Sequence, residues 1–216
     1  GLSRWMEEKS YNSIADFRGS QFNGAVYFMP SLFNSTADFG GSRFNSFANF
    51  AGSEFKGATN FSHSVFDEYA NIADLKFNST TDFSYSVFNH TANFWLSKFN
   101  GTADFGYSMF NSTTFFMDSV FNNTAYFWHS VFHNTADFSN SYFNDRAVFD
   151  YTLFEGDGYF TESAMNTSSF NSSAFNGVAD FSNNSGYKKE KKYIITGKGV
   201  EILFDQKIMD QIKAGA

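Results

Sequence analysis

Phenylalanine recurs at alternating steps of five and six from Phe17 to Phe181 of this 216-residue chain. The series runs Phe17, Phe22, Phe28, Phe33, Phe39, Phe44, Phe50, Phe55, Phe61, Phe66. Ile72 takes one place, and Phe77 through Phe160 resume the count. One repeating unit holds a step of each length, as in Phe-Asn-Gly-Thr-Ala-Asp-Phe-Gly-Tyr-Ser-Met-Phe from Phe99 to Phe110. So fixed a period means stacked units, none of which buries its apolar side alone: a solenoid. The 3.6-residue period of a helix is absent from this stretch.

A small residue stands two places before nearly every phenylalanine of the series, as in Ala37-Asp38-Phe39 and Ser42-Arg43-Phe44. In an extended chain, residues two apart point the same way, so each triplet reads as a three-residue strand with its small residue and its ring turned inward. Two-residue corners alternate with Asn-x-Thr corners such as Asn100-Gly101-Thr102, where asparagine suits the tight backbone.

The outward residues decide how many of these strands make one coil. Taken at every second unit, one corner reads Gly19, Gly41, His63, Tyr85, Tyr107, His129, Tyr151, and the strand beside it Gln21, Arg43, Val65, Val87, Met109, Val131, Leu153. The intervening sets read Pro30, Gly52, Asp74, Leu96, Asp118, Asn140, Glu162 and Leu32, Glu54, Lys76, Lys98, Val120, Tyr142, Ala164. Positions two units apart resemble each other and positions one unit apart do not. Side chains on adjacent strands interact, so like stacks on like. The coil therefore takes two units, the step from Val65 to Val87, and has four faces. About eight coils at a strand spacing of roughly 4.8 Å give a rod about 38 Å long.

Ala15-Asp16-Phe17, Ala37-Asp38-Phe39, Ala48-Asn49-Phe50, Ala92-Asn93-Phe94, Ala136-Asp137-Phe138 and Ala179-Asp180-Phe181 resemble the unit of the pentapeptide-repeat proteins, Ala-(Asp/Asn)-(Leu/Phe)-x-x. The resemblance covers residues 15 to about 184. It implies an all-β fold: a right-handed quadrilateral parallel β-helix. Every second unit departs from the pattern by one extra residue, and the step from Met165 to Phe170 drops that residue.

The phenylalanines of the series then form four inward columns, each buried ring contributing on the order of 2–3 kcal/mol. Such a rod needs capped ends. The expected layout is an N-terminal cap over 1–14, the β-helix over 15–185, and a basic link with a strand and helix cap over 186–216. Leu2, Trp5 and Met6 suit a short amphipathic helix over residues 2–9. Lys188 to Lys192 suit a solvated link, Tyr193–Thr196 a strand, and 200–213 a helix with Phe204, Ile208 and Ile212 on one side.

The net charge of −7 disfavours a general nucleic-acid binder, and the absence of cysteine removes disulfides, thiolate zinc sites and a cysteine nucleophile. No segment is apolar for long enough to span a bilayer, so membrane insertion is not expected. The chain begins at Gly1 without a signal peptide, as a processed or trimmed form would. No phosphate-cradling glycine loop, nucleophile elbow or paired-histidine helix occurs. His63 and His129 belong to the outward aromatic column, and His90 and His133 to the corners, with no convergence that would bind a metal. Asp38, Asn60, Asp82 and Asp104 share one column and read as a hydrogen-bonding ladder rather than an acid–base pair. No catalytic residue, cofactor or metal site is expected, and the chain reads as a non-enzyme.

Two features point to function. Asn-x-Ser/Thr acceptors occur at Asn34, Asn60, Asn78, Asn89, Asn100, Asn111, Asn122, Asn166, Asn171 and Asn183. Stacked acceptors lie too close for glycans on all, and Asn34, Asn78, Asn89, Asn100, Asn111 and Asn122 are the candidates. The second feature is apolar: Val65, Val87, Met109, Val131 and Leu153 point outward, edged by Tyr85, Tyr107 and Tyr151, with Trp95 and Met117 on another corner. Contiguous exposed apolar surface marks an interaction site. The expected function is a structural or interaction protein, an extracellular or cell-surface β-helix whose partner is itself, assembling through these columns or end to end. One alternative follows from the family resemblance: some pentapeptide-repeat proteins mimic duplex DNA and bind DNA gyrase, which would place an acidic rod in the cytoplasm. The other is a carbohydrate-binding surface, with tyrosine and tryptophan stacking on glycans.

Overall fold

The computed structural model describes residues 9–184 and the strand Ile202–Leu203. Among these residues every regular element is a β-strand, and almost all the strands are two residues long. They wind into a right-handed parallel β-solenoid of about eight coils. Each strand pairs with its counterpart two units on: Thr59 with Thr81, Val65 with Val87, Ala70 with Ala92 and Lys76 with Lys98. The four-faced coil expected from the outward columns is therefore the coil observed.

The faces follow one another round the coil. The first carries Glu54–Phe55, Lys76–Phe77 and Lys98–Phe99; the second Ala37–Asp38, Thr59–Asn60 and Thr81–Asp82. The third carries Arg43–Phe44, Val65–Phe66 and Val87–Phe88; the fourth Ala48–Asn49, Ala70–Asn71 and Ala92–Asn93. The four faces make three sheets of 14, 8 and 9 strands, because Tyr142–Val148 runs straight through the corner between the first two. Its neighbour Ala164–Ser169 is one residue shorter across that corner, so Phe143 pairs with Met165 but Arg146 with Thr167. The shortened step carries on round the coil, where Leu153 pairs with Ala174 and Gly158 with Ala179.

Strands are shorter than the three residues expected because a turn begins at the ring that ends each Ala-x-Phe triplet. In the turn from Phe39 to Ser42, the Ser42 N–H donates to the Phe39 carbonyl at 3.0 Å, and the Gly40 N–H donates to Asp38 Oδ1 at 2.9 Å. The third residue of such a turn lies in the left-handed region, where glycine is unstrained; Gly41 has φ +66°. The serine that closes the turn then donates its hydroxyl to a carbonyl of the preceding coil, as Ser42 Oγ does to Phe17 at 2.7 Å and Ser108 Oγ to Phe83 at 2.6 Å. Serine, small and able to donate, satisfies a buried acceptor without displacing a ring.

Inside, the phenylalanines form four columns. Phe105 lies parallel to Phe83 and Phe127, at centroid distances of 5.1 and 4.9 Å, and meets Phe94 and Phe116 edge-on at 5.3 and 5.2 Å. Rings are thus offset-stacked along the rod and edge-to-face across it, both favoured arrangements.

The ends differ from expectation where they are described. Lys9, assigned from sequence to the close of a helix over 2–9, is in the strand Lys9–Tyr11, which pairs with Ser31–Phe33. Ile202 and Leu203, assigned to a helix over 200–213, form a strand parallel to Ala179–Asp180. The open N–H and C=O edge of that last rung takes a strand in preference to a helix. The remainder of both expected helices, the basic link and the strand over Tyr193–Thr196 lie outside the described residues.

Candidate functional site

The third face carries Val65, Val87, Met109, Val131 and Leu153 outward in unbroken register. Met109 is 39% exposed and the four aliphatic residues are half-buried. The corner leading into this face holds His63, Tyr85, Tyr107, His129 and Tyr151. Their rings stack at centroid distances of 4.8 Å throughout, within 8° of parallel. The Trp128 indole meets the edges of Tyr107 and His129 at 4.9 and 5.4 Å. It lies over Gly106, where a Cβ would collide with the indole Nε1.

All five ladder residues have φ between 55° and 58°. The left-handed region is disfavoured by about 1–2 kcal/mol for a residue with a side chain. Each ring–ring contact offsets about 0.5–1.5 kcal/mol. The balance is near zero, while glycine, which occupies the same corner at Gly19 and Gly41, needs no offset. The same φ, 54° to 58°, recurs on the opposite corner at Asp74, Leu96, Asp118, Asn140 and Glu162, so the left-handed turn belongs to the fold. What sets this corner apart is its unbroken run of stacked rings.

The residues picked out from sequence do not all meet. Tyr85, Tyr107 and Tyr151 border the Val65–Leu153 column. Trp95 and Met117 lie on the diagonally opposite corner, where Trp95 Nε1 donates to Asp118 Oδ2 at 2.9 Å. Trp128 was not singled out from sequence; the signal was the glycine one coil before it, at Gly106.

The glycosylation candidates form ladders of their own. Nδ2 of Asn122 donates to Asn100 Oδ1 at 2.7 Å, Asn100 to Asn78 at 2.8 Å, and Asn78 to Glu54 at 2.6 Å. On another corner Asn111 donates to Asn89 at 2.8 Å and Asn89 to Asp67 at 2.9 Å; Asn34 donates to Asn12 at 2.7 Å. The nitrogen that would carry a glycan is in each case already a hydrogen-bond donor along the rod.

The acidic column forms a ladder only at its start, where Asn60 Nδ2 donates to Asp38 Oδ1 at 2.9 Å. Asp82 and Asp104 turn back to accept from Ser84 and Gly106, each at 2.8 Å. Burial, with the charge of Asp82 added, pushes the Asp104 carboxyl up from its ordinary range. Glu54 moves the other way, held down first by the amide of Asn78 and then by Lys76. His133 Nδ1 lies 2.5 Å from Glu155 Oε2. Among the described residues no three His, Asp or Glu side chains converge as a metal ion would require.

A parallel β-helix with a Phe core, turn-closing serines and Ala-(Asp/Asn)-Phe strands defines a class of repeat protein. Residues 17–65 match the family model described as pentapeptide repeats (9 copies), so the resemblance seen in the repeat itself holds. No curated protein matches the chain in sequence. Among solved structures, full-length QnrB1, a plasmid-mediated fluoroquinolone resistance protein, superposes with 14% identity and a TM-score of 0.47, over 97% of this chain and 98% of that one. A trypsin-treated form of the same protein gives 15% identity and a TM-score of 0.32 over the same shares.

Proposed function

We propose that this chain is a non-catalytic structural protein that associates with copies of itself through the third face and its aromatic border. One observation carries the reading: the unbroken apolar column from Val65 to Leu153, bordered by a continuous stack of rings. The uncharged Asn, Ser, Thr and Tyr surface supports a place outside the cell or on its surface. Surface biotinylation of intact source cells tests the compartment; label confined to lysed cells refutes it.

The rival readings fit less well. A sugar stacks on the face of an aromatic ring, and in this ladder the faces are closed by neighbouring rings at 4.8 Å. Duplex mimicry needs dense negative charge along the rod. The acids of the second face give way to Tyr126 and Val148 after Asp104, and Lys76 and Lys98 interrupt the first.

Sedimentation velocity tests the association. The wild-type chain is expected to exceed monomer mass at about 100 μM, a concentration at which a weak specific interface forms. Val87→Lys with Val131→Lys puts like charges on this face and is expected to leave a folded monomer. A wild-type chain monomeric at that concentration refutes the reading.

A further inference from the structure

We infer that two copies pair third face to third face with their rods antiparallel, about a dyad that runs along the strands at the Tyr107–Met109 rung. The inference rests on the self-association proposed above and adds its geometry. A closed two-fold interface must be self-complementary, since each residue meets the one related to it by the symmetry. Rotation about an axis along the strands reverses the rod but keeps the aromatic corner on the same side, so ladder meets ladder.

The ladder, read along the rod, is His63, Tyr85, Tyr107, His129, Tyr151. Reversed about Tyr107, it places His63 against the partner's Tyr151, Tyr85 against the partner's His129, and Tyr107 against the partner's Tyr107. Each histidine then lies opposite a tyrosine, whose hydroxyl can pair with an imidazole nitrogen. The same rotation sets Val65 against the partner's Leu153, Val87 against the partner's Val131, and Met109 against the partner's Met109. Arg43, the charged residue that heads the column, falls against the partner's Ala174. Seven of the eight rungs of the face overlap, a contact roughly 34 Å long.

Other placements of a second copy fit worse. A dyad half a rung away, between Tyr85 and Tyr107, sets His63 against the partner's His129. A dyad along the rod axis sets Arg43 against the partner's Arg43 and carries the two ladders to opposite edges, with their rings uncovered. In the antiparallel pair the far edge brings Asp67 near the partner's Glu155. Both carboxylates already have partners, Asp67 in Arg43 at 2.8 Å and Glu155 in His133 at 2.5 Å.

The chain has no cysteine, so introduced thiols report without background. Val65→Cys and Leu153→Cys variants, one of them isotope-labelled, are mixed and treated with a short bismaleimide, and the products are weighed. Packed sheets stand about 10 Å apart, a gap such a linker spans. The mixed 65-to-153 product is expected at least ~10-fold above the 65-to-65 product, because the like residues lie four rungs apart across the dyad. A dominant 65-to-65 product overturns the antiparallel arrangement and leaves self-association standing. A dimeric mass with no cross-link at either position does the same. A monomeric mass overturns both readings.

Discussion

Phe105 touches rings above, below and on both sides, and is fully buried. Phe105→Ala is expected to destabilise the chain by about 3–5 kcal/mol in denaturant titration, since parallel neighbours cannot close the gap. Ile72 and Leu75, which flank one turn, are a compensated pair: Ile72 is one of two gaps in the ring series, Met165 being the other, and Leu75 stands where the other coils have serine. Both are buried, and Phe77 beside them tilts by 16° and 15° against Phe55 and Phe99. Ile72→Phe overfills this layer and Leu75→Ser empties it, so each alone is expected to destabilise by roughly 1–3 kcal/mol. The double variant restores the common pattern, and its cycle is expected to show a coupling of about 1–3 kcal/mol. At Asp104 the sign of the pH effect follows from the raised carboxyl. Raised above its unfolded value, the group opposes folding while ionised, and that opposition fades as pH falls through the folded pKa. Asp104→Asn keeps the acceptor for Gly106, gives Asp82 a donor, and is expected to stabilise at pH 7 by on the order of 1 kcal/mol. Thermal melts across the acidic range check this, the advantage vanishing once Asp104 is protonated.

Among elements, the shortened coil is where the stacking rule bends. Asp150 spans the altered step, accepting from the Ser169 hydroxyl, from the Asn171 N–H at 2.8 Å and from the Asn171 amide at 3.2 Å. Asp157 accepts the Val178 N–H at 2.8 Å. Asp150→Ala is expected to destabilise by about 1.5–3 kcal/mol. Because each coil contacts only its neighbours, amide exchange is expected to speed up in residues 164–184 and not in 54–132. Outward residues see little besides the residues one rung away, so their identities recorded the register directly, and the four faces and the Val65–Leu153 column were legible in the sequence. Features set by open edges and altered corners were not. The even spacing of Phe204, Ile208 and Ile212 suggested a helix, but Ile202 and Leu203 obey the free backbone edge of Ala179–Asp180. Nothing local in Asn144-Asp145-Arg146 marks the corner that straightens into Tyr142–Val148. The ladder's column was readable, but the closure of its ring faces depended on side-chain angles that spacing does not carry.

For the whole molecule, the core and the surface follow different periods. Phenylalanine and its small neighbour recur every half coil, while outward residues recur only every full coil. Deleting residues 98–119 removes one full coil and is expected to leave a shorter rod that still dimerises, since His63, Tyr85, His129 and Tyr151 remain self-complementary on reversal. Deleting residues 98–108 removes half a coil. Rings still stack on rings, so this variant is expected to keep its strand content and most of its stability by circular dichroism and thermal melting. Its apolar column, however, is split, with Met109, Val131 and Leu153 carried to the first face behind Lys76, and sedimentation is expected to show a monomer. An equally dimeric half-coil deletion would mean that the third face is not the one in use. The mismatch also bears on how the gene can change. Recombination between repeats that adds or drops a half coil passes unnoticed by folding, yet exchanges every outward residue beyond it with the opposite side. A lineage free of demands on its surface would accumulate such slips and blend its four outward columns. The columns from Val65 to Leu153 and from His63 to Tyr151 stay sorted, so no half-coil slip lies between those rungs.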